Sequence, residues 1–182
     1  MTELGESNPA LARAFALIRD VPDYPTQGVL FRDITPLLAD AAAFASVIEA
    51  MAEPIIDADV VVGVEARGFL LGAPVALAAE VGVVPVRKAG KLPLVAASRE
   101  YQLEYGSATL ELPSGGITDG TRAYLIDDVL ATGGTLRASC DLVEQAGGVV
   151  VGIGVLLELT ALGGREAVAR PGGRAPHALL RV

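Results

Sequence analysis

The sequence predicts an α/β fold built on a mainly parallel sheet, and three observations carry that expectation. Short apolar runs recur along the chain, as "ADVVVGV", "VVPVR", "RAYLID" and "VVVGIGVLLEL", and continuous runs of this kind suit strands buried on both faces. Between them lie "RGFLLGAPVALAAEVG" and "GTLRASCDLVEQAGG", which read as helices. The recurring order strand, loop, helix implies parallel strands with right-handed crossovers. Composition agrees, since 52% of the 182 residues are apolar and only 4% aromatic, the profile of a close-packed α/β protein. The length fits one domain over 1–182 with a sizeable core.

Taken in order, Asn8 and Pro9 supply an N-cap and a first-turn proline for a helix ending near Arg19. "VPDYPTQGVLFRDITPLL" carries three prolines and a glycine, so it is expected to be mostly irregular. Asp40 then caps a helix from Ala41 to Glu53. Strand 58–64, helix 67–82 and strand 83–87 follow. Residues 92–107 turn polar and aromatic without a sustained period and read as a mobile loop. "ATLELP" alternates like an exposed strand, "SGGITDGT" is a turn, and the helix after "RAYLID" is closed by glycines. The glycine- and arginine-rich tail allows one or two helical turns and a final edge strand.

The formal net charge of −8 disfavours a nucleic acid or an anionic membrane surface as partner. No apolar run approaches the ~20 residues that span a bilayer. The single cysteine, Cys140, has no internal partner, and the N-terminus shows no charged-then-apolar signal pattern, so a reducing cytoplasm is the expected setting. Cys140 shares a helical stripe with Leu136 and Val143 and reads as core. His177, the only histidine, reads as a surface residue.

The chemistry concentrates in "AYLIDDVLATGGTLRA". A strand that enters a glycine-bearing turn and opens into a helix can hold a phosphate, because free N–H groups converge there and the helix dipole adds partial positive charge. Asp127 and Asp128 cannot serve a phosphate and are costly to desolvate, so they must face something else. Vicinal sugar hydroxyls suit them, as does a hydrated Mg²⁺; a solvated acidic turn is the plainer alternative. "VGVEARGF" forms a second strand-to-helix loop, so two anionic groups could be held a substrate's length apart. Its Arg67 suits a phosphate or pyrophosphate, or pairs with Glu65 at the surface. No G-x-G-x-x-G follows a strand, and "RKAGKLP" lacks the features of a P-loop.

"LIDDVLATGGT" resembles the phosphoribosyl diphosphate (PRPP) motif of type I phosphoribosyltransferases. "GVLFRDITPLL", "VGVEARGFLLGAPVAL", "PVRKAGKLP" and "YQLEYGSATLEL" are similar, in order and spacing, to segments of the adenine phosphoribosyltransferase family. The resemblance covers about Tyr24 to Leu162 and implies a parallel-sheet core with a small N-terminal hood, within about 1–40, and a mobile loop. It implies that Asp127 and Asp128 take the ribose hydroxyls and that Ala131, Thr132, Gly133, Gly134 and Thr135 wrap the 5′-phosphate. Glu65, Ala66, Arg67 and Gly68 would form the pyrophosphate loop, with a non-proline cis peptide at Ala66–Arg67, and Arg87, Lys88 and Lys91 would match the leaving group's charge. Phe31 would stack on adenine, with Leu30 and Arg32 offering main-chain groups to the base. Glu104 would be the general acid/base in the loop, and Tyr105 would help to order it and would join Leu30, Phe31 and Arg32 in binding adenine. Arg67, Asp127 and Asp128 would join Glu104 in catalysis.

The function so implied is transfer of the phosphoribosyl group of PRPP to adenine, giving AMP and pyrophosphate, by a Mg²⁺-dependent, homodimeric enzyme of purine salvage. The metal would be held mainly by PRPP and water near Asp127 and Asp128, with no direct protein ligand. A PRPP-binding regulatory protein and a transferase for another purine are the alternatives, and the tail departs from the family pattern.

Overall fold

The computed structural model describes residues 8–102 and 107–182. Helix α1 (Pro9–Ala16) starts at Asn8, whose side chain accepts the N–H groups of Ala10 and Leu11. A two-stranded antiparallel sheet follows, β1 (Arg19–Pro22) with β2 (Leu30–Asp33), then helices α2 (Thr35–Ala39) and α3 (Ala41–Ala52), the latter capped by Asp40. The central units are β3 (Val60–Val64), α4 (Arg67–Ala78), β4 (Gly82–Lys88), β5 (Val95–Gln102) and β6 (Ser107–Pro113). They are followed by β7 (Arg122–Leu130), α5 (Gly134–Gln145), β8 (Val149–Glu158), a 3₁₀ turn (Thr160–Leu162), α6 (Gly164–Ala167) and β9 (His177–Arg181).

Seven strands form one sheet in the order β5-β6-β4-β3-β7-β8-β9. Strands β4, β3, β7, β8 and β9 run parallel, while β6 and β5 add an antiparallel edge to β4. The central stretches of the parallel strands are apolar because both their faces are covered. Successive residues of β7 show it: Ala123 and Leu125 pack on the face carrying Leu136, Cys140 and Val143 of α5, whereas Tyr124 and Ile126 pack on the face carrying Leu37, Val47, Met51, Leu71 and Val75.

Three expectations are corrected. The stretch 21–38 is not mostly irregular: its prolines sit where they cost no ladder bond, Pro22 ending a strand of a two-stranded sheet and Pro36 in the first turn of α2. Residues 92–107 are not mainly loop, since Val95–Gln102 is a strand paired with β6. Among the β5 residues whose burial is described, only Ala97 is buried, so this sheet edge tolerates the polar composition that concealed it. His177 is half-buried rather than at the surface, opposite Gly154 of β8. Elsewhere β7 runs to Leu130, past the two acids, and the tail ends in the expected edge strand. Among the described residues no helix is long and apolar enough to cross a membrane.

Candidate active site

Ligands of parallel α/β sheets sit beyond the C-terminal ends of the strands. Here β3 leads through Glu65 and Ala66 into α4, and its neighbour β7 leads through residues 131–133 into α5. The two turns therefore lie side by side. Their approach is close enough to demand glycine: a Cβ on Gly68 would stand 2.9 Å from both Asp127 Oδ1 and the Ile126 carbonyl. Gly133 begins α5 from a left-handed conformation, φ 84°, which an L side chain resists. The non-proline cis peptide lies one bond earlier than expected, at Glu65–Ala66. It falls between the end of β3 and the start of α4, and the Ala66–Arg67 bond instead opens the helix.

A cleft of about 360 Å³ opens over these turns, bordered by Ala66, Arg67, Lys88, Tyr101, Asp127 and Thr135. Asp127 also borders a smaller hollow of about 80 Å³ made by residues 131–136. Arg67 also borders a third, about 130 Å³, formed by Val29, Leu30, Phe31, Arg32, Val129 and Leu159. Shared walls thus link a cup of loop backbone, a polar centre and an apolar slot.

Both acids are buried, Asp127 at 9% and Asp128 at 6% exposure. Asp128 Oδ2 lies 2.8 Å from Arg67 Nη2, and Asp127 Oδ1 accepts the Asp128 N–H at 2.9 Å. Burial pushes both carboxyls above their ordinary pKa. For Asp127 the neighbouring Asp128 charge adds to this, and for Asp128 the Arg67 guanidinium opposes it. The Arg67 guanidinium also lies 4.9 Å from the centroid of the Phe31 ring, and Tyr24 meets that ring edge-on at 5.2 Å. Arg67 is thus the bridge between the acids and the aromatic platform, not the partner of Glu65.

Glu65 instead gathers the basic segment. Its carboxylate receives Lys91 Nζ, the Lys88 N–H at 3.0 Å and Arg87 Nε at 3.3 Å. Burial works to raise its pKa, but the hydrogen bonds from Lys91, Lys88 and Arg87 prevail and hold it low. The Arg87 guanidinium further donates to the Lys91 carbonyl at 3.3 Å, so the turn after β4 is tied to the turn after β3.

Arg32 turns its guanidinium to Asp20, and Leu30, Phe31 and Arg32 all border the apolar slot. Glu104 and Tyr105 lie outside the described residues. Sequence reasoning missed Tyr101, which receives the Thr135 hydroxyl at 3.4 Å, and missed Val129 and Leu159 in the slot. Leu159 follows the C-terminal end of β8, where the strand-end rule points; Val129 was concealed in an apolar run. Cys140 is buried and free, its thiol pushed up to about 12 by burial, which leaves it inert at neutral pH.

A phosphoribosyl transferase domain is matched over residues 37–171, which sets the class of protein that this sheet and these two turns define. Over 177 residues the chain is 57% identical to an adenine phosphoribosyltransferase of Saccharopolyspora erythraea, covering 97% of this chain and 95% of that one. It is 55% identical over 181 residues to that of Salinispora arenicola, covering 98% and 95% of the two chains. The crystal structure of adenine phosphoribosyltransferase from Rhodothermus marinus superposes with a TM-score of 0.88 at 45% identity, covering 96% of this chain and 99% of that one. The Saccharomyces cerevisiae enzyme, complexed with D-2,5-dideoxy-2,5-imino-altritol 1,6-bisphosphate and adenine, superposes at 0.86 with 36% identity, covering 94% and 99%. The chain belongs to the adenine phosphoribosyltransferase family.

Proposed function

We infer that this chain transfers the phosphoribosyl group of PRPP to adenine, giving AMP and pyrophosphate, a step of purine salvage. One observation carries the reading: two adjacent strand-to-helix turns flank a buried acid pair, and Arg67 joins that pair to the Phe31 slot. In this reading residues Ala131 to Thr135 cup the 5′-phosphate and Asp127 and Asp128 accept the ribose hydroxyls. Arg67, Gly68 and the backbone around Ala66 hold pyrophosphate, with Arg87, Lys88 and Lys91 adding positive charge and Glu65 fixing where two of those cations stand. Adenine stacks on Phe31 between Val129 and Leu159, and Leu30 and Arg32 read its edge through main-chain groups. The yeast relative, complexed with a sugar-like bisphosphate and adenine together, supports two small-molecule sites.

Adenine N9 attacks C1′ as the C1′–O bond to pyrophosphate breaks, through a transition state of oxocarbenium character. Positioning the two reactants and neutralising charge on the departing group are effects large enough to drive such a step without a covalent intermediate. Glu104 is proposed to manage the purine proton, and Tyr105 is proposed to contribute to the adenine site. The hard oxygen donors of Asp127 and Asp128 fit a hydrated Mg²⁺, and among the described residues no group of three or more metal-ligating side chains forms a protein cage. When bound with PRPP, the ion would neutralise diphosphate charge. A homodimer and a cytoplasmic setting complete the proposal, the first resting on the family resemblance and the second on an unpaired buried Cys140.

The test is PRPP-dependent conversion of adenine to AMP, run beside hypoxanthine and guanine. Hypoxanthine inverts both the donor and the acceptor on the purine edge, and peptide groups cannot reprotonate to suit it. Each mismatched, desolvated pair costs on the order of 1–3 kcal/mol, so adenine should be favoured roughly 10²–10⁴-fold in kcat/KM. Hypoxanthine within tenfold of adenine would refute main-chain readout, and PRPP binding without AMP formation would refute the enzyme.

A further inference from the structure

The tail supplies a contact that neither the motifs nor the mechanism uses. After β8 the chain turns through the left-handed Gly163, φ 68°, into α6, and Gly164 there lies directly behind the 131–133 turn. A Cβ on Gly164 would run into the Ala131 carbonyl oxygen, far inside van der Waals contact, and would stand 2.9 Å from Leu130 Cδ1. From the other side, a Cβ on Gly133 would stand 2.8 Å from the Gly164 carbonyl and 3.0 Å from the Ala167 methyl. Two stretches of bare backbone are therefore pressed together. Gly164 is not among the glycines with positive φ, so conformational freedom does not explain it and close approach does.

The backing segment is itself held firmly. Arg165 forms an ion pair with both carboxylate oxygens of Glu158, at 2.8 Å through Nε, and donates to the Pro176 carbonyl at 2.8 Å. Glu158 is 3% exposed and also meets Arg181 Nε at 3.0 Å. Val168 is buried in the core on the α5 face, and Arg137 of α5 donates to the Ala167 carbonyl at 3.1 Å. The turn thus rests on a segment clamped to β8, β9 and α5.

We propose that Gly164 is a positioning residue for the phosphate: α6 is the rigid back wall of the 131–135 cup, and Arg165 fixes the wall. The proposal rests on the reading that this cup holds the 5′-phosphate. Any side chain at 164 would push Ala131 and Gly133 toward the hollow and move the N–H groups that a phosphate must meet. The pyrophosphate turn, 65–68, has no part in the contact, so the effect should be selective.

The test is calorimetric titration of the full chain with ribose 5-phosphate and, separately, with pyrophosphate, both in magnesium buffer. Gly164→Ala should weaken ribose 5-phosphate at least fivefold more than pyrophosphate, and should raise the KM for PRPP while leaving that for adenine within twofold. Arg165→Met, which removes the clamp without adding bulk at 164, should show the same selectivity, and Arg165→Lys should restore it in part. A merely structural role would weaken both ligands together, and a difference below fivefold overturns the proposal. If Gly164→Ala fails to fold, the Arg165→Met titration decides by the same threshold. Wild-type protein that binds pyrophosphate but no ribose 5-phosphate would instead overturn the assignment of the cup, and the proposal with it.

Discussion

A buried pair of adjacent carboxylates is unfavourable unless something arrives to meet it, and Asp127 and Asp128 are such a pair. Their folded pKa values lie above the unfolded value of 3.8, so between the two values the folded state holds more protons and stability falls as pH rises. That loss grows as pH rises through the folded values. Replacing both by Asn should therefore raise the melting temperature of the ligand-free protein, by an amount that shrinks toward pH 4, because Arg67 is partly exposed and can be solvated without its anion. The same variant should bind PRPP at least ~100-fold more weakly, since two hydrogen bonds to charged groups at ~1.5–3 kcal/mol each are lost. Calorimetry reads both effects, and a lowered melting temperature with unchanged PRPP affinity would make the pair structural. The acids were legible in the sequence because charge at the end of an apolar strand has few physical excuses. The choice of Arg67 between Glu65 and Asp128 was not, because it depends on which strand ends are neighbours.

At the scale of elements, the buried pieces and two of the strands toward the sheet's edges, β6 and β9, were legible, and the edge strand β5 was not. β3, β7, β8, α3 and α5 announce themselves because burial forces their composition to follow the period of the element. β5 is under no such pressure, and long-range pairing rather than local pattern makes it a strand. What fixes it is partly electrostatic: Asp141 of α5 receives Arg99 of β5 at 3.1 Å, Arg137 at 3.3 Å and Arg170 of the tail at 3.1 Å. Tyr101 of the same strand reaches the cleft, so this hub aligns one wall of the site with the helix that carries the phosphate cup. Asp141→Asn should cost about 1 kcal/mol, since Arg99 and Arg137 are half-exposed and screened, which corresponds to a melting shift of roughly 2–4 °C in a chain of this size. Amide exchange should accelerate in β5 and β6 ahead of β7 and β8. Uniform acceleration across the sheet would show that the network serves global stability only.

For the molecule as a whole, acidification from neutral pH sets two buried groups against each other while a third set waits. His177 has its pKa lowered below 6.5 by burial, with Glu53 opposing and Arg165 adding to the shift. The unfolded chain therefore takes up this proton first, and stability falls as pH drops below about 6.5. Asp127 and Asp128 act with the opposite sign, because the folded state takes up their protons first on the way down. Glu65 and Glu158, held low in the fold, give stability that is present above 4.5 and lost only as pH falls through their folded values. Over a scan from pH 7.5 to 5.5 the histidine and the acid pair thus act with opposite signs wherever they titrate, and relief of the −8 net charge acts on every variant in nearly the same way. Removing the acid pair should expose the histidine. The Asp127→Asn, Asp128→Asn protein should lose melting temperature over this window more steeply than wild type, with a slope bounded by one proton, about 1.4 kcal/mol per pH unit. Adding His177→Asn should abolish the extra slope. Scanning calorimetry at three pH values decides it: parallel lines for wild type and the double variant would mean that the acid pair does not gain its proton in the ligand-free fold within this range.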